Sequence, residues 1–258
     1  MIEIFIVSIV SFTTAILTFF SGFGLGTILT PVMMIFFPTE VAIAFTGLVH
    51  LSNNIFKFFL VGKNIDKKVL IRFGLPSVIA AFIGSYLLVL IDYNIVIFSY
   101  YFFDKKIDVI LVKFLISILL ILFAIIDLIP QINNLHFDKK HLPFGGFLSG
   151  FFGGLSGNQG ALRSAFLVKH GLEKSVFVAT TVAISSLVDI TRLSVYSTNF
   201  LNLNYSDYYL LGFFSVFSAV TGSFIGNKLL KKVTIEQIKK IVALLLILLG
   251  ICLLIGIL

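Results

Sequence analysis

An apolar stretch in the second half of the chain, residues 145–171, is interrupted in a way that ordinary membrane helices are not. Six glycines occur from Gly145 to Gly157, and the polar run Ser156-Gly157-Asn158-Gln159-Gly160 overlaps their end. Glycine weakens helices, and non-helical backbone is tolerated at membrane depth only where protein or water satisfies its hydrogen bonds. The pattern therefore predicts two short helices that meet at a break inside a membrane, with Arg163 just beyond the break.

The same pattern occurs near the N-terminus. Apolar residues 4–20 lead into Ser21-Gly22-Phe23-Gly24-Leu25-Gly26, and a second apolar run covers residues 25–37. A pair of interrupted segments, one in each half of a chain, indicates the binding site of a transporter. The alternative is that the glycines only let helices pack closely, as in small-xxx-small interfaces.

The composition places the chain in a membrane. Of its 258 residues, 59% are hydrophobic and 12% are charged, and the mean hydropathy is +1.10. Several apolar runs of about 20 residues predict a polytopic helical membrane protein. The net charge of +7 does not indicate a nucleic-acid partner, because the lysines fall in short loops between spans.

Few other functional classes fit the sequence. The single cysteine, Cys252, allows no internal disulfide and no cysteine-based metal site. Nothing resembles a catalytic triad or a carboxylate pair, so we expect no enzyme activity, no catalytic residue, no metal and no cofactor. No basic residue precedes the first apolar run, which follows Glu3. We therefore expect that run to be part of the fold rather than a cleaved signal.

The predicted fold is an all-α polytopic membrane protein built from two inverted repeats. Each repeat comprises a glycine-broken re-entrant hairpin and three transmembrane helices. The first repeat, residues 1–130, has its hairpin at 4–37 and spans at 41–62, 73–91 and 109–129. The second repeat, residues 131–258, has its hairpin at 143–169 and spans at 175–196, 208–228 and 237–258. Residues 92–108 form an aromatic insert that we expect at the membrane interface.

Sequence similarity between the halves is confined to one patch, and the charges of the loops give the orientation. A shift of 142 aligns residues 82–88 with residues 224–230, with five identities in seven. If the broken segments return to their own side, the basic loops 63–72, 131–142, 169–174 and 228–240 all lie in the cytoplasm. If the segments cross the membrane, loops 63–72 and 228–240 lie on opposite sides, against the positive-inside rule. We therefore predict re-entrant hairpins, inverted halves and both termini outside.

Hairpins that enter from opposite sides bring their tips together near the middle of the membrane. The second helix of each hairpin begins at its tip, so that unpaired N–H groups and the positive end of the helix dipole face one central volume. That arrangement favours an anion. The predicted substrate-binding residues are Gly24, Gly26, Thr27, Asn54, Asn158, Gln159, Gly160, Arg163 and Arg192.

The charged residues of the predicted spans allow more than one interpretation. Arg163 either pairs with Asp189 or binds an oxyanion through its planar, bidentate guanidinium. Asp189 and Arg192, three residues apart on one span, are also spaced to pair with each other. For Lys57, near the end of its span, we favour a side chain that reaches the membrane surface. We favour a structural role for His50 over a proton relay.

The glycine-rich turns resemble those of the sulfite exporter TauE/SafE family, which includes toluenesulfonate uptake permeases. The resemblance rests on Ser21–Pro31, Gly150–Gly160 and the element Ala179-Thr180-Thr181. It implies a secondary transporter for sulfite, a sulfonate or another sulfur oxyanion, multi-pass in the bacterial inner membrane. The partners compatible with the sequence are a small anionic substrate, the lipid bilayer and a second copy in a homodimer. The alternatives are an anion channel, a carboxylate permease or a membrane assembly factor that transports nothing.

Overall fold

The fold is described here from a computed structural model that covers residues 1–19, 24–92, 94–129, 139–167, 172–200, 208–229 and 235–257. Within these residues the chain forms ten helices and one short β-hairpin. The helices are α1 (Ile2–Thr18), α2 (Gly26–Phe36), α3 (Thr39–Val61), α4 (Lys67–Leu90), α5 (Leu111–Leu128), α6 (Leu142–Ser156), α7 (Gly160–Leu167), α8 (Lys174–Phe200), α9 (Tyr209–Leu229) and α10 (Ile235–Leu254). Each predicted span and each predicted hairpin arm overlaps one of these helices.

Four helices are long and apolar enough to cross a membrane, namely those within Thr39–Asn64, Lys67–Leu90, Ser175–Ser197 and Tyr209–Lys228. Of the six predicted spans, α5 and α10 are the two whose apolar helical stretches are shorter, Leu111–Ile126 and Lys240–Leu254. Large apolar side chains point outwards, with Phe59 81%, Phe213 64% and Leu244 62% exposed. An apolar exterior around a partly polar interior is the arrangement that a bilayer requires. The chain is therefore an all-α polytopic membrane protein.

Helix α4 begins earlier than the sequence predicted. Lys67, Lys68 and Arg72 were expected in a basic loop, but all three lie on the first turns of α4. The Asp66 side chain caps this helix by accepting from the backbone N–H groups of Lys68 and Val69. The turn Leu70–Gly74 is π-helical. This wider turn accommodates Pro76, whose ring would clash with the preceding turn of a regular α-helix.

The aromatic insert is a β-hairpin, which the all-α prediction did not anticipate. Strand β1 (Val96–Phe102) pairs antiparallel with β2 (Lys105–Ile110). Phe103 and Asp104 form the two-residue turn, both with positive φ, 46° and 60°, which matches the twist of a hairpin. The Tyr100 hydroxyl donates to the carbonyl of Ile255 at 2.5 Å. The hairpin thus lies beside the end of the last helix.

The helices of each broken segment pack against helices of the other half of the chain. In one direction, α1 packs against α9 and α2 packs against α10. In the other, α6 packs against α4 and α7 packs against α5. Helix α3 packs against α8, and α5 packs against α10, across the centre. These helix pairs of one half have counterparts in the other, which is consistent with a two-fold relation between the halves.

The contacts at the end of each broken segment indicate whether the segment crosses the molecule or turns back. Phe166, at the end of the second segment, lies against Gly145 near its beginning and 6.5 Å from the Phe73 ring. Phe37, at the end of the first segment, lies 6.0 Å from the Tyr208 ring, beside the start of α9. The first pair of contacts lies near the C-terminal end of α3 and the second near its N-terminal end. These contacts favour re-entrant hairpins; the inverted repeat and the side of the membrane on which each loop lies stay predictions.

Candidate anion-binding site

The two glycine breaks meet inside the protein. One glycine in each break has a left-handed backbone, Gly24 with φ +92° and Gly157 with φ +79°, a conformation that favours glycine. A Cβ placed on Gly26 would lie 3.6 Å from the carbonyl oxygen of Gly157 and 3.4 Å from Thr46. The expectation that the two tips come together is confirmed by this contact.

The other glycines of α6 have a different role, which is close packing. Gly146, Gly150 and Gly154 follow one another at four-residue intervals, and a Cβ on any of them would overlap the backbone of α4. The Ser77 hydroxyl donates across this contact to the carbonyl of Gly146 at 2.9 Å. The glycine-rich stretch therefore has both of the roles considered from the sequence. Gly146, Gly150 and Gly154 let α6 pack closely against α4, and Gly157 forms the break.

Polar side chains from α3 and α8 face each other beside the tips. On α3 they are His50, Asn53, Asn54 and Lys57, which share one face because they are three, four and seven residues apart. On α8 they are Asp189, Arg192 and Tyr196, which are likewise on one face. All seven are buried, with Asp189 and Arg192 completely so.

Asp189 is the centre of this group. Its Oδ2 accepts from His50 Nδ1 at 2.6 Å and from Asn54 Nδ2 at 3.2 Å. Its Oδ1 lies 3.0 Å from Arg192 Nε, 2.9 Å from Arg192 Nη2 and 3.2 Å from Gln159 Nε2. One carboxylate therefore joins α3, α8 and the tip of the second hairpin. So many donors hold it in its charged form.

Arg163 reaches this centre indirectly. Its Nη1 donates to Gln159 Oε1 at 3.0 Å, and Gln159 in turn donates to Asp189. The ion pairs of Asp189 are with His50 and Arg192. Of the interpretations that the sequence left open, pairing of Asp189 with Arg192 is the one that the structure has. Arg163 is 2% exposed, so its charge is also deep inside the protein.

The interpretation of Lys57 as a side chain that reaches the membrane surface is wrong. Lys57 is 3% exposed, and its Nζ lies 5.1 Å from the centre of the Phe19 ring. It is close enough to Arg163 for their charges to interact. Its position on the same face of α3 as His50 turns it inwards, towards the polar group. Lys57 is thus a third buried cation of the site.

Unsatisfied donors converge beside Gly157. Arg192 Nη1 and Thr30 Oγ1 are buried and have no hydrogen-bond partner among the described residues. A Cβ on Gly157 would lie 2.8 Å from Arg192 Nη1 and 3.6 Å from Thr30 Oγ1. The Tyr196 hydroxyl, which donates to Gly154, packs nearby on the arginine's helix. Buried donors without partners are costly unless a ligand or water satisfies them.

The nine residues predicted to bind substrate lie on or next to these elements. Gly24, Gly26 and Thr27 form the first tip and the start of α2, and Asn158, Gln159 and Gly160 form the second tip. Asn54, Arg163 and Arg192 belong to the polar group around Asp189. The structure thus brings the predicted residues together. Their role in binding stays a prediction.

The sequence analysis missed several members of the group, namely His50, Asp189 and Lys57 as site residues, Tyr196, and Asn53 with its partner Ser223. Ser223 donates to Asn53 Oδ1 at 2.6 Å. The signal that would have found most of them is the spacing of polar residues along α3 and α8. Polar side chains at helical intervals inside an apolar span mark the face that is turned into the protein.

Among the described residues there is no cluster of three or more His, Cys, Asp or Glu side chains that would hold a metal. The arrangement instead has cations, hydroxyls and amides around one paired carboxylate. In many secondary transporters, discontinuous helices point their N-terminal ends at anionic groups of the substrate.

The fold is that of a polytopic membrane protein, and the family match gives its class, which is that of membrane transporters. The chain belongs to the sulfite exporter TauE/SafE family, since the model of that family matches residues 7–253. This is a family of membrane transporters for sulfur anions, and the resemblance drawn from the glycine turns is confirmed. No curated protein matches the chain.

Proposed function

We propose that this protein is a secondary transporter that moves a small sulfur oxyanion, such as sulfite or a sulfonate, across the cell inner membrane. The observation that carries the proposal is the pair of unsatisfied donors beside Gly157. Arg192 Nη1 and Thr30 Oγ1 are buried and have no hydrogen-bond partner among the described residues. Buried donors are costly unless a ligand or water satisfies them. The same polar group contains the buried cationic side chains Lys57, Arg163 and Arg192, which favours a ligand of negative charge.

The donors suit an oxyanion in particular. A guanidinium presents two parallel N–H groups that match the oxygens of a sulfonate or a sulfite. The N–H groups of Arg192 Nη1 have no acceptor among the described residues, and the Thr30 hydroxyl lies near the same position beside Gly157. We place the anion beside Gly157, where arginine and hydroxyl donors converge and a side chain on the glycine would occupy the space.

The two broken segments add backbone donors to the same place. Helix α2 begins at Gly26 and helix α7 at Gly160, and Gly26 lies against Gly157. Each helix start carries unpaired N–H groups and about half a positive charge. Since the two segments start from opposite ends of the molecule, movement of either hairpin would open the anion site to one side. A scaffold protein has no need of this arrangement.

Binding to the purified protein tests the proposal. We expect sulfite, thiosulfate or a sulfonate to raise the melting temperature of the protein, and acetate to have no effect. Arg192→Gln removes a charge-assisted hydrogen bond worth about 1.5–3 kcal/mol, so the affinity should fall by about 10- to 100-fold. Arg72→Gln is the matched control, because Arg72 is exposed on α4. Equal affinity in Arg192→Gln and wild type would contradict the proposed site.

A further inference from the structure

The contact between His50 and Asp189 defines which atoms carry protons. Asp189 Oδ2 lies 2.6 Å from His50 Nδ1. Asp189 has contacts with five N–H donors, so both of its oxygens act as acceptors and neither carries a proton. A carboxylate only accepts, so Nδ1 of His50 carries a hydrogen. The remaining protonation site of this pair is Nε2 of the same ring.

Nε2 faces the tip of the first hairpin. A Cβ on Gly24 would lie 2.8 Å from this nitrogen, and Asn54 Nδ2 lies 3.5 Å from it. His50 is 1% exposed in this structure. Gly24, at the first tip, therefore covers Nε2 in this structure. The same tip begins α2, which carries Thr30 beside the proposed anion position.

The charges around His50 come from three elements. On α3, Lys57 lies two turns further along the same face. On α8 there are Asp189 and Arg192, and on α7 there is Arg163, which reaches Asp189 through Gln159. Helices α2 and α9 also pack against α3, and neither brings a carboxylate. Asp189 is thus the single acid among the described residues that faces the histidine.

Asp189 interacts with both His50 and Arg192. This common partner couples protonation of His50 to anion binding at Arg192. When His50 is neutral, Arg192 is the charged partner of Asp189. When Nε2 of His50 takes up a proton, the imidazolium becomes a second charged partner. The Arg192 guanidinium is then less engaged by the carboxylate and more available to an anion. An anion bound beside Arg192 in turn stabilises the imidazolium, because linkage is reciprocal.

We propose that the His50–Asp189 pair is a proton-binding site coupled to anion binding, so that the anion and a proton move through the protein together. The inference rests on the proposed function, since it needs an anion at Arg192. Protonation converts the imidazole to an imidazolium at Nε2, and deprotonation on the other side of the membrane releases the same proton. The pair is then more than a link between α3 and α8.

Proton uptake on anion binding is the direct test. Thiosulfate is the probe, because sulfite itself takes up a proton near neutral pH. Titration of the wild-type protein with thiosulfate in weakly buffered detergent solution should take up close to one proton per anion. The Kd should fall by up to about tenfold for each unit of pH decrease in the range where His50 titrates. A Kd that does not change with pH, with no proton uptake, would overturn the inference.

Three variants identify the group that takes up the proton. His50→Gln should abolish proton uptake and flatten the pH profile of the Kd, although its affinity for thiosulfate also changes. His141→Gln, an exposed histidine before α6, should behave as the wild type does. Lys57→Gln should retain proton uptake, and loss of uptake in this variant with retention in His50→Gln would assign the proton to Lys57 and overturn the inference.

A transport assay separates failure of this inference from failure of the proposed function. In proteoliposomes, an inward proton gradient should accelerate thiosulfate accumulation by the wild-type protein. Exchange of thiosulfate that is unaffected by the gradient would reject proton coupling and leave the transporter proposal standing. Absence of both binding and exchange, for every sulfur oxyanion, would reject both proposals.

Discussion

Asp189 and Arg192 form an ion pair of 2.9 Å on one face of α8, with both side chains fully buried. Asp189 forms ion pairs with both Arg192 and His50. Arg163, the other arginine of the site, is linked to this centre through Gln159, and we propose that its role is to bind the anion.

The first prediction concerns this role of Arg163. Arg163→Gln should weaken binding of the transported anion by about 10- to 100-fold, because a charge-assisted hydrogen bond of roughly 1.5–3 kcal/mol is lost. Arg163→Lys should recover binding only in part, since lysine keeps the charge and lacks the planar fork. Affinity and melting temperature are measured for each variant. Full recovery of both in the double variant Arg163→Gln with Asp189→Asn would mean that Arg163 serves only to pair with Asp189.

The second prediction concerns the left-handed glycine at the second tip. Gly157→Ala adds a Cβ 2.8 Å from Arg192 Nη1, so the guanidinium must shift. The backbone strain costs about 1–2 kcal/mol of stability, and anion affinity should fall by about tenfold or more. Gly212→Ala on α9 is the control, because its Cβ would contact Phe45 at an ordinary 3.4 Å. Unchanged affinity in Gly157→Ala would place the anion elsewhere. Gly26→Leu and Gly160→Leu are expected to abolish transport while some folded protein remains.

The third prediction separates packing glycines from tip glycines. Gly150→Ala should lower the melting temperature strongly, because the new methyl group overlaps the Ser77 backbone and overpacking costs about 1–3 kcal/mol or more. Gly84→Ala and Gly226→Ala should respond in the same direction, because a Cβ on Gly84 would overlap the backbone of α6 and a Cβ on Gly226 would lie 3.2 Å from the backbone of α1. Gly74→Ala is the control, since its nearest neighbours are side-chain atoms at 3.5 Å. A Gly150→Ala protein as stable as Gly74→Ala would mean that α4 and α6 are not in backbone contact.

The fourth prediction concerns orientation. With Cys252 replaced by serine, single cysteines at Lys67, Lys140 and Lys240 should react with an impermeant reagent from the cytoplasmic side. A cysteine at Lys105, in the β-hairpin, should react from the outside. All four positions are exposed, so that each can be labelled. We expect this orientation because basic residues are concentrated in cytoplasmic loops. Labelling of Lys67 and Lys240 from opposite sides would exclude the inverted repeat.

The helical part of the fold was predictable because its signals are local. Apolar runs define the spans, and glycine at the breaks and Pro130 after α5 mark where helices end. The β-hairpin had a local signal that the sequence analysis did not use. Val96–Phe102 is a run of β-branched and aromatic residues, and the two-residue turn Phe103–Asp104 separates it from β2. The aromatic character of the insert was interpreted only as a preference for the membrane interface.

The centre of the site was less predictable. Asp189 meets His50 across 139 residues of chain, and no local pattern specifies such a contact. Lys57 was misplaced for a related reason, since its distance from the end of the span was considered and the direction of its helix face was not. Arg163 and Arg192 were found because a buried arginine in an apolar span is costly enough to require a function or a partner.

Exchange of anions across a membrane tests the central claim most directly. Proteoliposomes that contain the wild-type protein are loaded with unlabelled thiosulfate, and entry of labelled thiosulfate is followed over time. We predict entry well above that of protein-free liposomes, competition by sulfite and sulfonates, and little competition by acetate. Arg72→Gln should exchange as the wild type does, and Arg192→Gln should not. Entry no faster than in protein-free liposomes, for every sulfur oxyanion loaded, would contradict the account.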